Sequence, residues 1–291
     1  MSHRRPVRRI RITVATAVGL ALAAGLATTA SATQDQQTMS AGKPEPKPTV
    51  VLVHGAWADS AGWTGVAKRL QADGYPVTAP ATPLRGLGSD AAYLADYLKT
   101  VNGPVVLVGH SYGGAVITNA ATGNPNVKAL VYIAAFAPDK GESIADLVGK
   151  YPGSHLSDDP AAPVPTALNA VPFTQTDGST GVDLYIKPDK FRDVFMSNRV
   201  STSKAAALAA TQRPVTAQAV GEPSVTTPAW KAIPSWYLVA RADQTIPAAA
   251  ERFMAERAHA HTVETEGPHA VHVTDPQVVT RLIEKAATTT R

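Results

Sequence analysis

Residues 105–114 read Val105-Val106-Leu107-Val108-Gly109-His110-Ser111-Tyr112-Gly113-Gly114, an apolar run that breaks into Gly-x-Ser-x-Gly. A continuous run rich in β-branched residues fits a strand buried on both faces of a parallel sheet. Ala115-Val116-Ile117 then continues in the manner of a helix. A strand that stops in a tight turn and restarts as a helix lifts the central hydroxyl above the end of the sheet on strained backbone. Gly109 and Gly113 suit such a turn, because a side chain at either would collide with the neighbouring strand or helix. Ser111 is the expected nucleophile.

The same alternation extends to both sides of this stretch. Apolar runs predict strands at Thr49–Val53, Pro76–Ala79, Val105–Val108, Ala129–Ala134, Trp236–Ala240 and His261–Glu264. Helical spacing predicts helices over Trp63–Leu70, Asp90–Leu98, Gly113–Ala121, Ala248–Ala258 and Pro276–Ala287. Strands separated by crossover helices imply an α/β fold: a mostly parallel six-stranded sheet with helices on both faces. Residues 49–137 and 235–291 supply that core. Between them, residues 138–234 form a long insertion crowded with Pro, Asp and Gly over Pro152–Pro165, with apolar periodicity returning only at Lys204–Gln212. An insertion without sheet character between two core strands is expected to be a lid over the site.

The first 32 residues read as a leader. Arg4, Arg5, Arg8, Arg9 and Arg11 precede an uncharged stretch from Ile12 to Ala27, and Ala30-Ser31-Ala32 supplies a cleavage site. That is the pattern of a secretory signal peptide, and its 16 uncharged residues fall short of the roughly 20 that span a bilayer. The adjacent arginines leave both general and twin-arginine export open. Residues 33–48 alternate Pro44, Pro46 and Pro48 with Lys and Glu, an extended tether. The leader carries five of the 27 basic residues and no acidic one, which turns the chain's net charge of +4 into 22 basic against 23 acidic residues in the mature protein. The basic balance therefore belongs to the leader and gives no support to nucleic-acid binding. The chain has no cysteine, so stability rests on core burial, and a thiolate nucleophile, a lipid-modified cysteine and a cysteine-ligated metal are excluded. A freely secreted protein without a stable membrane anchor is expected; oligomeric state is not legible.

In parallel sheets, ligands gather at the carboxyl ends of the strands. His54-Gly55-Ala56 follows the first strand, Ser111 the third, Asp243 the strand at 236–240 and His269 the last. A serine hydroxyl attacks well only when an imidazole takes its proton, and that imidazole needs a carboxylate on its other nitrogen. Ser111, Asp243 and His269 supply these roles in the order nucleophile, acid, base. Asp139 also follows a strand and competes for the acid role, and His272 competes with His269 for the base. The backbone N–H groups of Ala56 and Tyr112 are the expected oxyanion donors. His54 is expected to shape the oxyanion loop, and His54, Trp57 and the Tyr112 side chain are candidate pocket residues. His259-x-His261 lacks a third clustered ligand, so no metal or other cofactor is called for.

Val51-Leu52-Val53-His54-Gly55-Ala56-Trp57, Gly109-His110-Ser111-Tyr112-Gly113-Gly114 and the late Asp and His together resemble the α/β-hydrolase fold superfamily. The resemblance runs from about Thr49 to Ala287, most strongly to the compact branch of plant methylesterases, hydroxynitrile lyases and small bacterial esterases. Lyases of that branch carry a lysine just after the catalytic histidine, where this chain has Ala270, and dehalogenases and epoxide hydrolases use an aspartate nucleophile where it has Ser111. The resemblance implies a serine carboxylesterase acting on small or medium uncharged esters through an acyl-enzyme. Two alternatives stay open: a homologue that binds a small ligand without turnover, and cofactor-free perhydrolase or haloperoxidase-like chemistry.

Overall fold

A computed structural model describes residues 46–289. The leader, and the tether before Pro46, lie outside the described residues. In chain order the first half of the core comprises β1 (Thr49–Val53), α1 (Thr64–Ala72), β2 (Val77–Thr78), α2 (Leu87–Lys99), β3 (Val105–Ser111), α3 (Tyr112–Ala120) and β4 (Val127–Ala135). The intervening segment carries α4 (Ile144–Gly149), β5 (Leu168–Thr174), β6 (Thr180–Ile186), α5 (Pro188–Val194), α6 (Thr202–Ala210), β7 (Val215–Thr216) and α7 (Ala217–Gly221). The core resumes with β8 (Ser235–Ala240), α8 (Ala248–Arg257), β9 (His261–Thr265), α9 (Val271–Thr274) and α10 (Pro276–Thr288).

Six strands form one sheet in the order β2-β1-β3-β4-β8-β9, and every neighbouring pair in it is parallel. Side chains alternate across it, as strand geometry requires. Val51, Val53, Leu107, Tyr132 and Val239 enter a core with α2, α3 and α8, through residues such as Leu94, Val116 and Met254. Val50, Leu52, Val108, Val131 and Leu238 enter a second core on the other face, with Val66 and Leu70 of α1 and Leu282 and Ile283 of α10. Burial of each such side chain contributes about 1.5–3 kcal/mol before conformational entropy is subtracted. The helix ends are sealed locally: Asp275 accepts the N–H of Val278, and Pro276 opens α10 where its missing N–H costs nothing.

Two expectations change. The third strand does not stop at Val108 but pairs with β4 up to Ser111, opposite Ala135, with a register shift between His110 and Ser111. The insertion does contain sheet: β5 and β6 form an antiparallel hairpin with Asn169 opposite Tyr185 and Thr174 opposite Thr180, and β7 adds two residues to its edge. Pro172 and the exposed faces of β5 disguise that hairpin in the sequence. Among the described residues no helix is long and apolar enough to cross a membrane.

Candidate active site

Ser111 closes β3 and opens α3. Its backbone sits at φ 53° and ψ −126°, a left-handed conformation that costs a non-glycine residue about 1–3 kcal/mol. Backbone crowding enforces the turn. A Cβ on Gly109 would lie 2.6 Å from the carbonyl oxygen of Gly113, and one on Gly113 would lie 2.6 Å from that of Val53. The loop after β1 is pressed onto the same spot: a Cβ on Gly55 would fall 2.6 Å from the Ser111 Cβ and 3.1 Å from the Tyr112 nitrogen. Ala56 and Tyr112 therefore flank the serine, and Tyr112 begins a helix whose first N–H groups have no intrahelical acceptor.

Ser111 Oγ lies 2.8 Å from His269 Nε2, and His269 Nδ1 lies 2.6 Å from Asp243 Oδ2. All three are buried, at 2%, 0% and 5% exposure respectively. The other carboxylate oxygen, Asp243 Oδ1, accepts the N–H groups of Thr245 at 2.6 Å and Ile246 at 2.8 Å, which fixes the carboxylate plane. The Thr245 hydroxyl donates to the Val194 carbonyl at 2.8 Å and anchors this turn to the residue that ends α5. Hydrogen-bonded this way, a hydroxyl can pass its proton to the ring as its oxygen attacks a carbonyl, while the carboxylate steadies the imidazolium that forms.

The His269 ring is held by packing as well. Phe195 meets it edge-on at 5.1 Å between centroids, and the His110 ring lies 4.8 Å away on another side. His110 Nε2 lies 3.0 Å from the His269 carbonyl oxygen, so His110 donates there and carries its proton on Nε2. Behind it, His272 packs 4.1 Å from His110 and 4.6 Å from Trp63. Burial, and then the charges of His272 and His269, hold His110 well below the usual histidine range. Burial, and then His269, push His272 down to about 3. Both are neutral rings at physiological pH, and neither nitrogen of His272 has a hydrogen-bond partner among the described residues.

The remaining candidates separate cleanly. Asp139 pairs with Lys231 at 2.8 Å, away from the imidazole, so Asp243 is the carboxylate at His269. His54 is not a pocket wall. Its Nδ1 donates to the Gly55 carbonyl and its Nε2 accepts the Thr82 N–H, both at 2.9 Å, tying down the loop that carries Ala56. The Tyr112 side chain is not in the pocket either, because its hydroxyl donates to the buried Asp90 at 2.8 Å. Trp57, by contrast, lines a cavity of about 290 Å³ with Phe191, Phe195, Met196, Ala270 and His272. Ser111 does not itself line this cavity, which adjoins the site through the neighbours of Ala56 and His269. Phe191, Phe195 and Met196 lie in the insertion and were not singled out from the sequence. His259 and His261 are exposed, and no group of three or more metal-ligating side chains occurs among the described residues.

A strand-end serine on strained backbone, paired to a histidine and an aspartate at the ends of other parallel strands, defines an α/β-hydrolase site. Residues 50–282 match the model of the alpha/beta hydrolase family, and the chain belongs to that family. Among characterised proteins it is similar to a carbendazim hydrolyzing esterase of Nocardioides sp., with 36% identity over 113 residues covering 34% of this chain and 47% of that enzyme, which is less than half its length. It is also similar to a pyrethroid hydrolase of Sphingobium wenxiniae, with 28% identity covering 76% of this chain and 78% of the relative. Among solved structures, an extracellular alpha/beta-hydrolase from a Paenibacillus species shares the fold with a TM-score of 0.65, 24% identity, and coverage of 82% of this chain and 99% of that one.

Proposed function

We propose that this protein is an exported serine carboxylesterase that cleaves small to medium uncharged esters through an acyl-enzyme. The observation that carries the reading is the unbroken relay from Ser111 Oγ to His269 Nε2 at 2.8 Å and from His269 Nδ1 to Asp243 Oδ2 at 2.6 Å. In the first half-reaction Ser111 Oγ bonds to the ester carbonyl carbon as its proton moves to His269 Nε2. The carbonyl oxygen becomes an oxyanion held by the N–H groups of Ala56 and Tyr112. The bond to the leaving oxygen then breaks, His269 returns the proton to the departing alcohol, and the acyl group stays on Ser111. Water repeats the sequence, giving its proton to His269 and releasing the acid.

The cavity of about 290 Å³ is just below the usual range for small-molecule sites, roughly 300–1,000 Å³, and its apolar walls favour a compact substrate. Asp59 is the charged residue lining it, which disfavours anionic esters. One relative is an esterase that hydrolyses carbendazim and another is a pyrethroid hydrolase, which supports hydrolysis as the chemistry of this site. In this reading residues 138–234 cap the site and supply its apolar wall, and residues 1–32 direct export and are removed. Hydrolysis of p-nitrophenyl acetate by the wild type and by Ser111→Ala tests the chemistry: equal rates would overturn it. The amino-terminal sequence of protein recovered from the medium tests export.

A further inference from the structure

Glu251 lies in the first turn of α8 and is fully buried. Its Oε2 accepts the N–H of Ala240 at 3.0 Å. Ala240 ends β8 beyond the last residue paired with β4, Leu238, so this N–H has left the ladder on that side and takes the glutamate instead. The carbonyl of the same residue accepts the N–H of Asp243 at 3.0 Å. One residue, Ala240, thus joins the Glu251 carboxyl to Asp243, the residue that orients His269.

The second oxygen, Oε1, is buried and receives no donor; the acidic side chain it meets is that of Asp243. Among the described residues no cation hydrogen-bonds to this carboxyl. Arg252, next along the helix, sends Nε and Nη2 outward to Glu264 of β9 at 2.8 and 2.7 Å. Tyr237 of β8 faces the same region, but its hydroxyl donates to the Ala135 carbonyl and is held protonated by burial. The remaining neighbour is Asp243, which accepts from His269 and from two backbone N–H groups. Two buried carboxylates side by side without a cation cannot both be ionised. Asp243 has three donors and keeps the charge, so Glu251 keeps the proton. Burial, and then the charge of Asp243, raise Glu251 well above the usual carboxylate range in accord with this.

We infer that Glu251 is a positioning residue for Asp243, clamping the end of β8 through one carboxyl oxygen and presenting the other, as a hydroxyl, to the Asp243 carboxylate. The inference rests on the esterase reading only for its kinetic consequences. A neutral acid at this place steadies Asp243 without adding a negative charge that would overstabilise the imidazolium.

The test compares Glu251→Gln and Glu251→Leu in the full chain. Glutamine keeps an acceptor for Ala240 and a donor for Asp243, and stays neutral at every pH. It is expected to hold kcat/KM within about threefold and to leave the acid limb of the pH profile in place. Leucine removes both contacts. It is expected to lower kcat about 10- to 100-fold with little change in KM and to move the acid limb upward, because Asp243 then pulls harder on the His269 proton. A downward move of about one unit or more in Glu251→Gln would mean that the native glutamate is ionised. A Leu variant that loses only thermal stability, with kcat and the acid limb unchanged, would reduce Glu251 to packing. Infrared difference spectroscopy reads the proton without turnover: the carbonyl stretch of a protonated carboxyl is expected in the wild type and absent in Glu251→Gln. No difference between the two spectra overturns the inference even if the Leu variant fails to fold. Full activity in Ser111→Ala would sink the esterase reading while leaving that spectroscopic result standing.

Discussion

Replacing Asp243 by Asn changes one atom, and the surrounding hydrogen bonds dictate how the new side chain turns. In the native site Oδ1 receives two backbone donors, Thr245 N–H at 2.6 Å and Ile246 N–H at 2.8 Å, and Oδ2 receives His269 Nδ1–H at 2.6 Å. An amide has one acceptor oxygen and one NH₂. Pointing the NH₂ at the turn sets it against two fixed N–H donors, each unmet group costing about 1–3 kcal/mol. Pointing it at His269 conflicts with a single proton that can move. The amide oxygen therefore stays on the turn, and His269 shifts its proton from Nδ1 to Nε2. Nε2 then faces Ser111 Oγ at 2.8 Å as a donor, unable to accept the serine proton. Loss of the productive tautomer lowers kcat roughly 10⁴-fold, or about 5.4 kcal/mol of barrier. Initial rates and acyl-burst titration with p-nitrophenyl acetate at pH 7–8 measure the loss, with thermal melting as a control for folding. Asp139→Asn serves as the comparison, because Asp139 is engaged with Lys231 and is expected to leave turnover unchanged. A folded Asp243→Asn within tenfold of the wild type, or an equal loss in Asp139→Asn, would refute the tautomer argument.

Three other outcomes follow from the packing. Gly113→Ala drives a Cβ to 2.6 Å from the Val53 carbonyl and 2.9 Å from that of His54, so it should destabilise by about 1–3 kcal/mol or more; a denaturation midpoint equal to the wild type would show that the crowding is not real. Tyr112→Phe removes the 2.8 Å donor to buried Asp90 and should cost about 1–3 kcal/mol in urea unfolding, with a loss below about 0.5 kcal/mol counting against that bond. The buried histidines predict acid sensitivity. His272 titrates near 6.5 when unfolded and is pushed to about 3 in the fold, so between those values the unfolded chain binds the extra proton and stability falls as pH drops. That site contributes a slope of up to about 1.4 kcal/mol per pH unit. His272→Met should flatten the dependence measured by denaturant unfolding at pH 6 and pH 4.5; identical slopes in both proteins would reject the assignment.

The parts of the site that follow from backbone geometry were legible in the sequence, and the parts set by the third dimension were not. Gly-His-Ser-Tyr-Gly after an apolar strand carries its own spatial instruction, since glycines at those positions answer to the close approach of Val53 and Gly113. The carboxylate and imidazole that line up with Ser111 were readable because each follows a strand of a parallel sheet, and such strands all end at one edge. The hairpin of β5 and β6 was not readable from apolar alternation, because its strands are mostly exposed or half-buried. A signal did exist in Asp177-Gly178 between them, where Gly178 has φ +84°, a dipeptide that marks hairpin turns. Glu251 reads in sequence as one more charged residue on an alanine-rich helix. Only the packing of α8 against β8 reveals that its face is inward. The directions of the Tyr112 and His54 side chains were equally hidden, because neighbouring residues on a tight turn point to different layers of the molecule.

The three members of the relay are held by three different kinds of force, which bears on how the site tolerates change. Ser111 is fixed by steric exclusion around a left-handed residue, so any side chain added at Gly55, Gly109 or Gly113 meets fixed neighbouring atoms at 2.6 Å. Asp243 is fixed by directional hydrogen bonds from the backbone N–H groups of Thr245 and Ile246. His269 is fixed chiefly by rings, Phe195 on one side and neutral His110 on another, and by its bond to Asp243. In the proposed reaction a charged ring at His110 would repel the imidazolium formed at His269, so burying His110 and His272 beyond easy protonation would protect that base as well as packing it. Substitutions among the rings should therefore be graded by polarity and volume, while those among the glycines should be all-or-none.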